Sequence, residues 1–277
     1  MKRPTVENYD KIKNKLKNNE LLQGDELIKK YGIQVAIYTR YFTRIMANNG
    51  GLLIYTLILP VVLLLLNNTQ ALFHTVSNAT YTAQMMPFIA WIIFSNTIVA
   101  VSMVVTLREK GYLKQYHTLV VNPSVIVVAQ LVVNLAELIV MMVLIAVISA
   151  VAFKMALLPL VGRLWGMLLL TYVPIVGYCL PLLAVPLREK SLNAAINVVT
   201  LLVMFGSVGI LTLVNGQIDN LFLNLISPVY LMLNAFQTLS RGAGGHFPLV
   251  YASVLLVWIA VGVVSYHHLR LLPTEDL

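Results

Sequence analysis

Three polar side chains interrupt an otherwise apolar run: Gln130, Asn134 and Glu137. Spacings of four and three put them on one face of a helix, and Met141 continues the stripe. An ionised carboxylate at bilayer mid-depth costs about 2.5–3.5 kcal/mol on insertion scales, so Glu137 must be neutralised or paired inside a bundle. No Lys or Arg occupies the middle of any apolar run, which leaves Tyr or Asn on a neighbouring span as partners. Such a stripe supports three kinds of chemistry. One is an interhelical clasp, worth about 0.6–2 kcal/mol per bond. The second is substrate recognition or conformational coupling. The third is proton relay, for which the spans offer no second carboxylate. Covalent and metal chemistry find no support: Cys179 is the only cysteine, and no Cys/His cluster has metal-ligand spacing. The expectation is a protein that is not an enzyme.

Long helices must position these residues. Charged residues make up 11% of the 277, hydrophobic residues 59%, and mean hydropathy is +0.83, whereas soluble domains carry about 25% charged residues. An all-α polytopic membrane protein is expected. A crossing helix needs about 20 mostly apolar residues. Six runs qualify, at about 50–68, 85–107, 124–152, 163–187, 192–214 and 247–268, together forming a transmembrane domain over 50–277. Ahead of it lie a basic cytoplasmic leader (1–31) and an amphipathic interfacial helix (32–49). In the leader, Gly24 breaks the helical pattern and Asp25-Glu26 suit a second helix start. In the interfacial helix, Ile37, Tyr41 and Ile45 share one face, and Arg40 and Arg44 another.

Basic residues set the orientation. With the N-terminus inside, segments 1–49, 108–123, 188–191 and the tail hold ten, three, two and one Lys/Arg, against only Lys154, Arg163 and Arg241 outside. An N-in, C-in topology follows. The sequence pI of about 9.5 is accounted for by topology and anionic lipid, and nucleic acid is not an expected partner. Between spans two and three, Lys110 and Lys114 lie four apart, as do Tyr112 and Tyr116. That loop is either a positive-inside anchor at the headgroups or a docking helix for a cytoplasmic partner. Span five carries Asn193, Asn197, Thr200, Met204, Ser207 and Leu211 on one stripe, and span two carries Ser95, Asn96 and Thr97. Small and polar stripes favour close helix contact or a water-lined surface over lipid. His267 and His268 read as an interfacial cap.

Three segments carry a family resemblance: "LREKGYLKQYHTLVVNPSVIVVAQLV" (107–132), "LISPVYLMLNAFQTL" (225–239) and "YTRYFTRIMANN" (38–49). Over about residues 32–270 the chain resembles the membrane subunits of type-2 ATP-binding-cassette (ABC) exporters. The resemblance implies a coupling helix at about Arg108 to Thr118, with Arg108, Glu109, Lys110, Tyr112 and Lys114 meeting a nucleotide-binding subunit. It implies short re-entrant helices before the last span and a connecting helix before the first. It also implies a central path lined by spans two and five, on which Asn96, Asn197 and Met204 would lie. The segment "LTLVNGQIDNLFLNLISP" departs from the family's Gly-rich, Pro-bounded outer loop. The chain has no G-x-x-x-x-G-K-[ST] phosphate loop, and "LSRGAGGH" falls in an outer connector. The expectation is therefore a permease with no cofactor of its own, ATP and Mg2+ being held by a separate ABC ATPase subunit. It would pair with a second copy or a homologous permease in a bacterial plasma membrane, among membrane lipid. Its cargo would be hydrophobic or amphipathic: a drug, lipid or peptide. The alternative is a self-contained secondary transporter or channel, which predicts inverted repeats and more membrane charge.

Overall fold

Prolines and small polar caps punctuate the chain. A computed structural model describes residues 26–45, 47, 58, 61–62, 65–66, 68–110, 120, 122–185, 189–213, 220–241 and 247–268. Most of the leader, most of span one, the loop residues Tyr112 and Lys114, and the tail lie outside the described residues. Among the described residues after 68 the α-helices are α1 (Asn78–Gln84), α2 (Met86–Glu109), α3 (Ser124–Phe153), α4 (Leu157–Cys179), α5 (Pro181–Ala184), α6 (Glu189–Leu213), α7 (Leu221–Ile226), α8 (Pro228–Arg241) and α9 (Phe247–His267). Ser77 caps α1, its Oγ accepting from the Thr80 amide at 3.1 Å. Pro87 opens α2 where no amide donor is needed. The Asn122 side chain accepts from the Ser124 amide at 3.0 Å as α3 begins, and α3 stops where Lys154 turns left-handed at φ 49. Asn220 caps α7. Pro228 then forces a new start rather than a continuation.

Four of these helices, α2, α3, α4 and α9, are long and apolar enough to cross a bilayer. They make this an all-helical, membrane-embedded chain, with no strand among the described residues. α6 is 25 residues long, and its described apolar part runs Ser191–Val203. At 30 residues, α3 is about 45 Å long, longer than a hydrocarbon core of about 30 Å, so it must tilt or project.

The surface helix is helical from residue 26, where Asp25-Glu26 suit a helix start, and continues to 45 through Gly32, joining the end of the expected leader to the expected interfacial helix. One helical glycine costs only about 1 kcal/mol. The fourth span starts at Leu157 rather than 163 and ends at Cys179, with Pro181 opening α5. Arg163 is accommodated within that helix because its Nη1 donates to Asn78 Oδ1 at 2.7 Å.

Side-chain pairs fix the packing. α3 and α4 run antiparallel, with Trp165 against the Ile139 carbonyl and Tyr172 against the Leu131 carbonyl. α9 runs parallel to α4, pairing Tyr251 with the Leu170 carbonyl and Trp258 with Gly177. α8 runs antiparallel to α4. Leu239 lies against Gly166, and the α7–α8 turn reaches Tyr178 near the far end of α4. Pro228 to Phe236 are nine consecutive buried residues, so α8 is enclosed by α4, α2, α1, α6 and α9. The surface helix lies along the start of α3, burying Phe42 against Ile126, Ala129 and Val133. Burial, and Tyr41 beside it, push the Tyr38 phenol above its ordinary value.

Candidate functional site

Two polar assemblies stand out, one at the end of the bundle and one within it. The first forms where α2 stops. Arg108 lies in the last turn of α2, where a cation complements the negative end of the helix dipole. Its side chain is only 1% exposed, and it is among the largest fully buried side chains. A buried guanidinium requires partners. Nε pairs with Glu109 Oε1 at 2.9 Å, and Nη2 donates to the Val185 carbonyl at 3.3 Å. Val185 sits just past α5, in the link towards α6. One side chain therefore ties the loop after α2 to the loop after α5. Lys110 follows, exposed, with its amide bonded to the Thr106 carbonyl at 3.0 Å. The structure thus brings Arg108 and Glu109 together and leaves Lys110 on the surface beside them. This geometry fixes the two loops to one another through a single buried guanidinium.

The second assembly is the stripe on α3. Asn134 is buried, whereas Gln130 and Glu137 are half-buried. The Tyr172 hydroxyl of α4 lies 2.6 Å from the Leu131 carbonyl and 3.1 Å from Asn134 Oδ1, its one proton serving both acceptors. The interhelical clasp therefore forms at Asn134. Glu137 makes no hydrogen bond or ion pair among the described residues. Asn134 Nδ2 is also without a partner there.

The residues expected along a central path are not joined. Asn96 is buried on α2 and its Nδ2 donates to the Ile92 carbonyl of its own helix at 2.9 Å. Asn197 is exposed on α6. The Met204 side chain lies outside the described residues. α6 packs on α2 and α8, and its buried residues Leu192, Ile196 and Thr200 form a stripe spaced by four. Asn193 and Asn197, also four apart, are exposed beside that stripe.

Sequence patterning did not anticipate the clasp beneath α8. The Tyr178 hydroxyl lies 2.7 Å from both the Asn224 and Leu225 carbonyls, and Trp258 Nε1 donates to the same Leu225 carbonyl at 3.2 Å. The two rings lie 3.9 Å apart by centroid. Their signal was the polar tip of each aromatic within an apolar run, which must find an acceptor once buried. Among the described residues no group of three or more His, Cys, Asp or Glu could hold a metal. His268 Nδ1 lies 2.8 Å from the Val264 carbonyl, one turn back on its own helix. No family model matches the chain, and no curated protein or solved structure matches it either.

Proposed function

We propose that this chain is the transmembrane permease subunit of an ABC exporter. It moves a hydrophobic or amphipathic substrate (a drug, lipid or peptide) across a bacterial plasma membrane. ATP and Mg2+ are handled by a separate nucleotide-binding subunit. The observation that carries this reading is the outward face of α6. A helix packed on α2 and α8, with Asn193 and Asn197 exposed over its described part, is ill-suited to lipid, where amide groups lack partners. A second copy, or a homologue, placed against that face encloses a polar path between the two subunits. The concentration of Lys/Arg on the segments read as cytoplasmic and the Arg108 tie between two loops at one end support an elbow driven from below.

The test is cross-linking in native membranes. In a Cys179→Ala background, Asn197→Cys is expected to give a subunit–subunit adduct, at twice the mass for a homodimer. Val140→Cys, on an exposed face of α3, is expected to give none. Chain recovered from those membranes should carry an ATPase subunit whose hydrolysis it stimulates, and Lys110→Glu with Lys114→Glu should abolish the association. Cargo movement by the purified chain alone, in vesicles without ATP, overturns the reading.

Glu137 favours the second reading, a self-contained secondary transporter, because a half-buried carboxylate without a hydrogen-bond or ion-pair partner among the described residues suits a coupling ion. Glu137→Gln separates the two: proton-gradient-driven uptake that vanishes in this variant supports the secondary transporter.

A further inference from the structure

α3 and α9 both pack on α4, and the space between them is a groove of about 340 Å³ at the end of the bundle near Ser124. Val128, Leu131, Val173, Val176, Ile259 and Val263 form its walls. Gly177 and Gly262 form its floor. A Cβ on Gly177 would lie 2.7 Å from the Trp258 carbonyl oxygen, and one on Gly262 would lie 2.9 Å from a Leu180 methyl. The two glycines let α9 settle onto α4, leaving the groove open on the other side. Val173, Ile259 and Val263 are each at least 44% exposed, so the groove opens outward along its length.

Polar groups appear only at one mouth. Ser124 Oγ lies 3.1 Å from the Tyr31 hydroxyl of the surface helix, and the Tyr266 hydroxyl donates to Asn122 Oδ1 at 2.8 Å. Tyr31 follows Lys29 and Lys30, both exposed. The surface helix over 26–45 carries four basic residues and one acidic, Glu26. Beyond Tyr266 come His267 and His268. The site is thus an apolar slot with a basic rim at one end.

We propose that this groove holds one acyl chain of an anionic phospholipid, whose phosphate headgroup rests at Lys29 and Lys30. The chemistry of the slot matches that ligand: a tail along an apolar trough, and a negative head at a positive surface. A partner helix is about 10–12 Å across with its side chains and does not enter a space of this volume. A neutral lipid would leave the basic rim unmatched. The assignment stands whether or not the chain takes an ATPase partner.

Trp258 lines the groove and reports on its occupant. The chain carries three tryptophans, so Trp91→Phe with Trp165→Phe leaves Trp258 as the only emitter. This variant is placed in nanodiscs containing phosphatidylglycerol or phosphatidylcholine brominated on the acyl chain, at graded mole fractions. The anionic lipid is expected to quench Trp258 at a lower mole fraction, by about fivefold for each lysine engaged. Lys29→Gln with Lys30→Gln, both on the surface, is expected to remove that preference while leaving some quenching. Val263→Phe, and separately Val173→Phe, fill the trough and should reduce quenching by both lipids. Equal quenching by the two lipids, or a preference that survives the lysine changes, overturns the proposal. So does a Trp258 that neither lipid quenches.

Discussion

α8 and α9 are adjacent in sequence and opposite in character. α8 carries Asn234, Gln237, Thr238 and Ser240, yet its first nine residues are buried. α9 is apolar nearly throughout, yet only 17% of its apolar window is buried, against 72% for α2. In water this assignment would be inverted. In a bilayer an apolar side chain loses little by facing out, so burial goes to the helix whose backbone and polar groups need partners. α8 is short, and the turn before it carries backbone groups that must be satisfied. Tyr178 and Trp258 supply the donors for that turn. α9 contributes its aromatic ring and its glycine contact to this arrangement and gives the rest of its surface to lipid.

The largest expected effect tests that inversion directly. Phe236 on α8 is fully buried, its ring 5.8 Å from that of Tyr81. Phe236→Ala should cost about 3–5 kcal/mol of stability. Leu256 on α9 is 69% exposed, and Leu256→Ala should stay within about 0.5 kcal/mol. Reversible denaturant unfolding of both variants in micelles checks this; similar midpoints would break the comparison. Close behind comes Arg108, a charge buried like the interior of α8 but placed at a loop. Arg108→Ala removes the buried cation paired with Glu109 and should cost about 3–5 kcal/mol. Arg108→Lys should not restore the loss, since an ammonium lacks the fork that reaches Glu109 and Val185 from one group. Stability of all three forms in the same unfolding assay, with Lys matching Arg as the contrary result, decides it.

The difference between α8 and α9 also marks what a reader of the sequence could see. The long spans were legible because their runs of apolar residues have one explanation at that length, and α2, α3, α4 and α9 begin and end within a few residues of their caps and prolines. α8 was legible only as a short segment after Pro228. Its composition resembles a surface helix, and nothing local says that five other helices close around it. Arg108 shows the same limit. Its charge and its place after a span suggested a surface contact, but besides Glu109 it reaches a backbone carbonyl 77 residues away, and a carbonyl has no sequence signature. The polar stripe on α3 was legible as a stripe, and a tyrosine of span four was a foreseeable partner. That Tyr172 reaches Asn134 and not Glu137 depends on the stagger of two helices, which spacing along one helix does not encode.

A smaller effect sharpens how α9 is held. Gly177 is the point of closest approach between α4 and α9, where an added Cβ meets the backbone of Trp258 at 2.7 Å. Backbone cannot swing aside as a flexible side-chain tip can, so Gly177→Ala should cost about 1–3 kcal/mol. It should also shift Trp258 emission to the red as the helix lifts. Gly32 is the control: nothing lies within 4 Å of an added Cβ there. Gly32→Ala should stabilise its helix by about 0.4–1 kcal/mol. If both substitutions behave alike, α9 does not depend on the glycine contact.

The smallest expected effect concerns the clasp between α3 and α4. Tyr172→Phe keeps the ring and removes only the hydroxyl shared by the Leu131 carbonyl and Asn134 Oδ1. Leu131 lies inside α3, so its carbonyl keeps its helical bond. The loss therefore falls mainly on Asn134, which is already short of a partner at Nδ2. The expected cost is about 0.6 kcal/mol and no more than about 2. A double-mutant cycle with Asn134→Leu separates the hydrogen bond from general packing. If the bond is the source, Tyr172→Phe should cost almost nothing once Asn134 is gone, because the amide left unsatisfied has been removed with it. Full additivity would instead place the effect in the hydrogen bond to the Leu131 carbonyl, and Asn134 would then contribute nothing to holding α3 and α4 together.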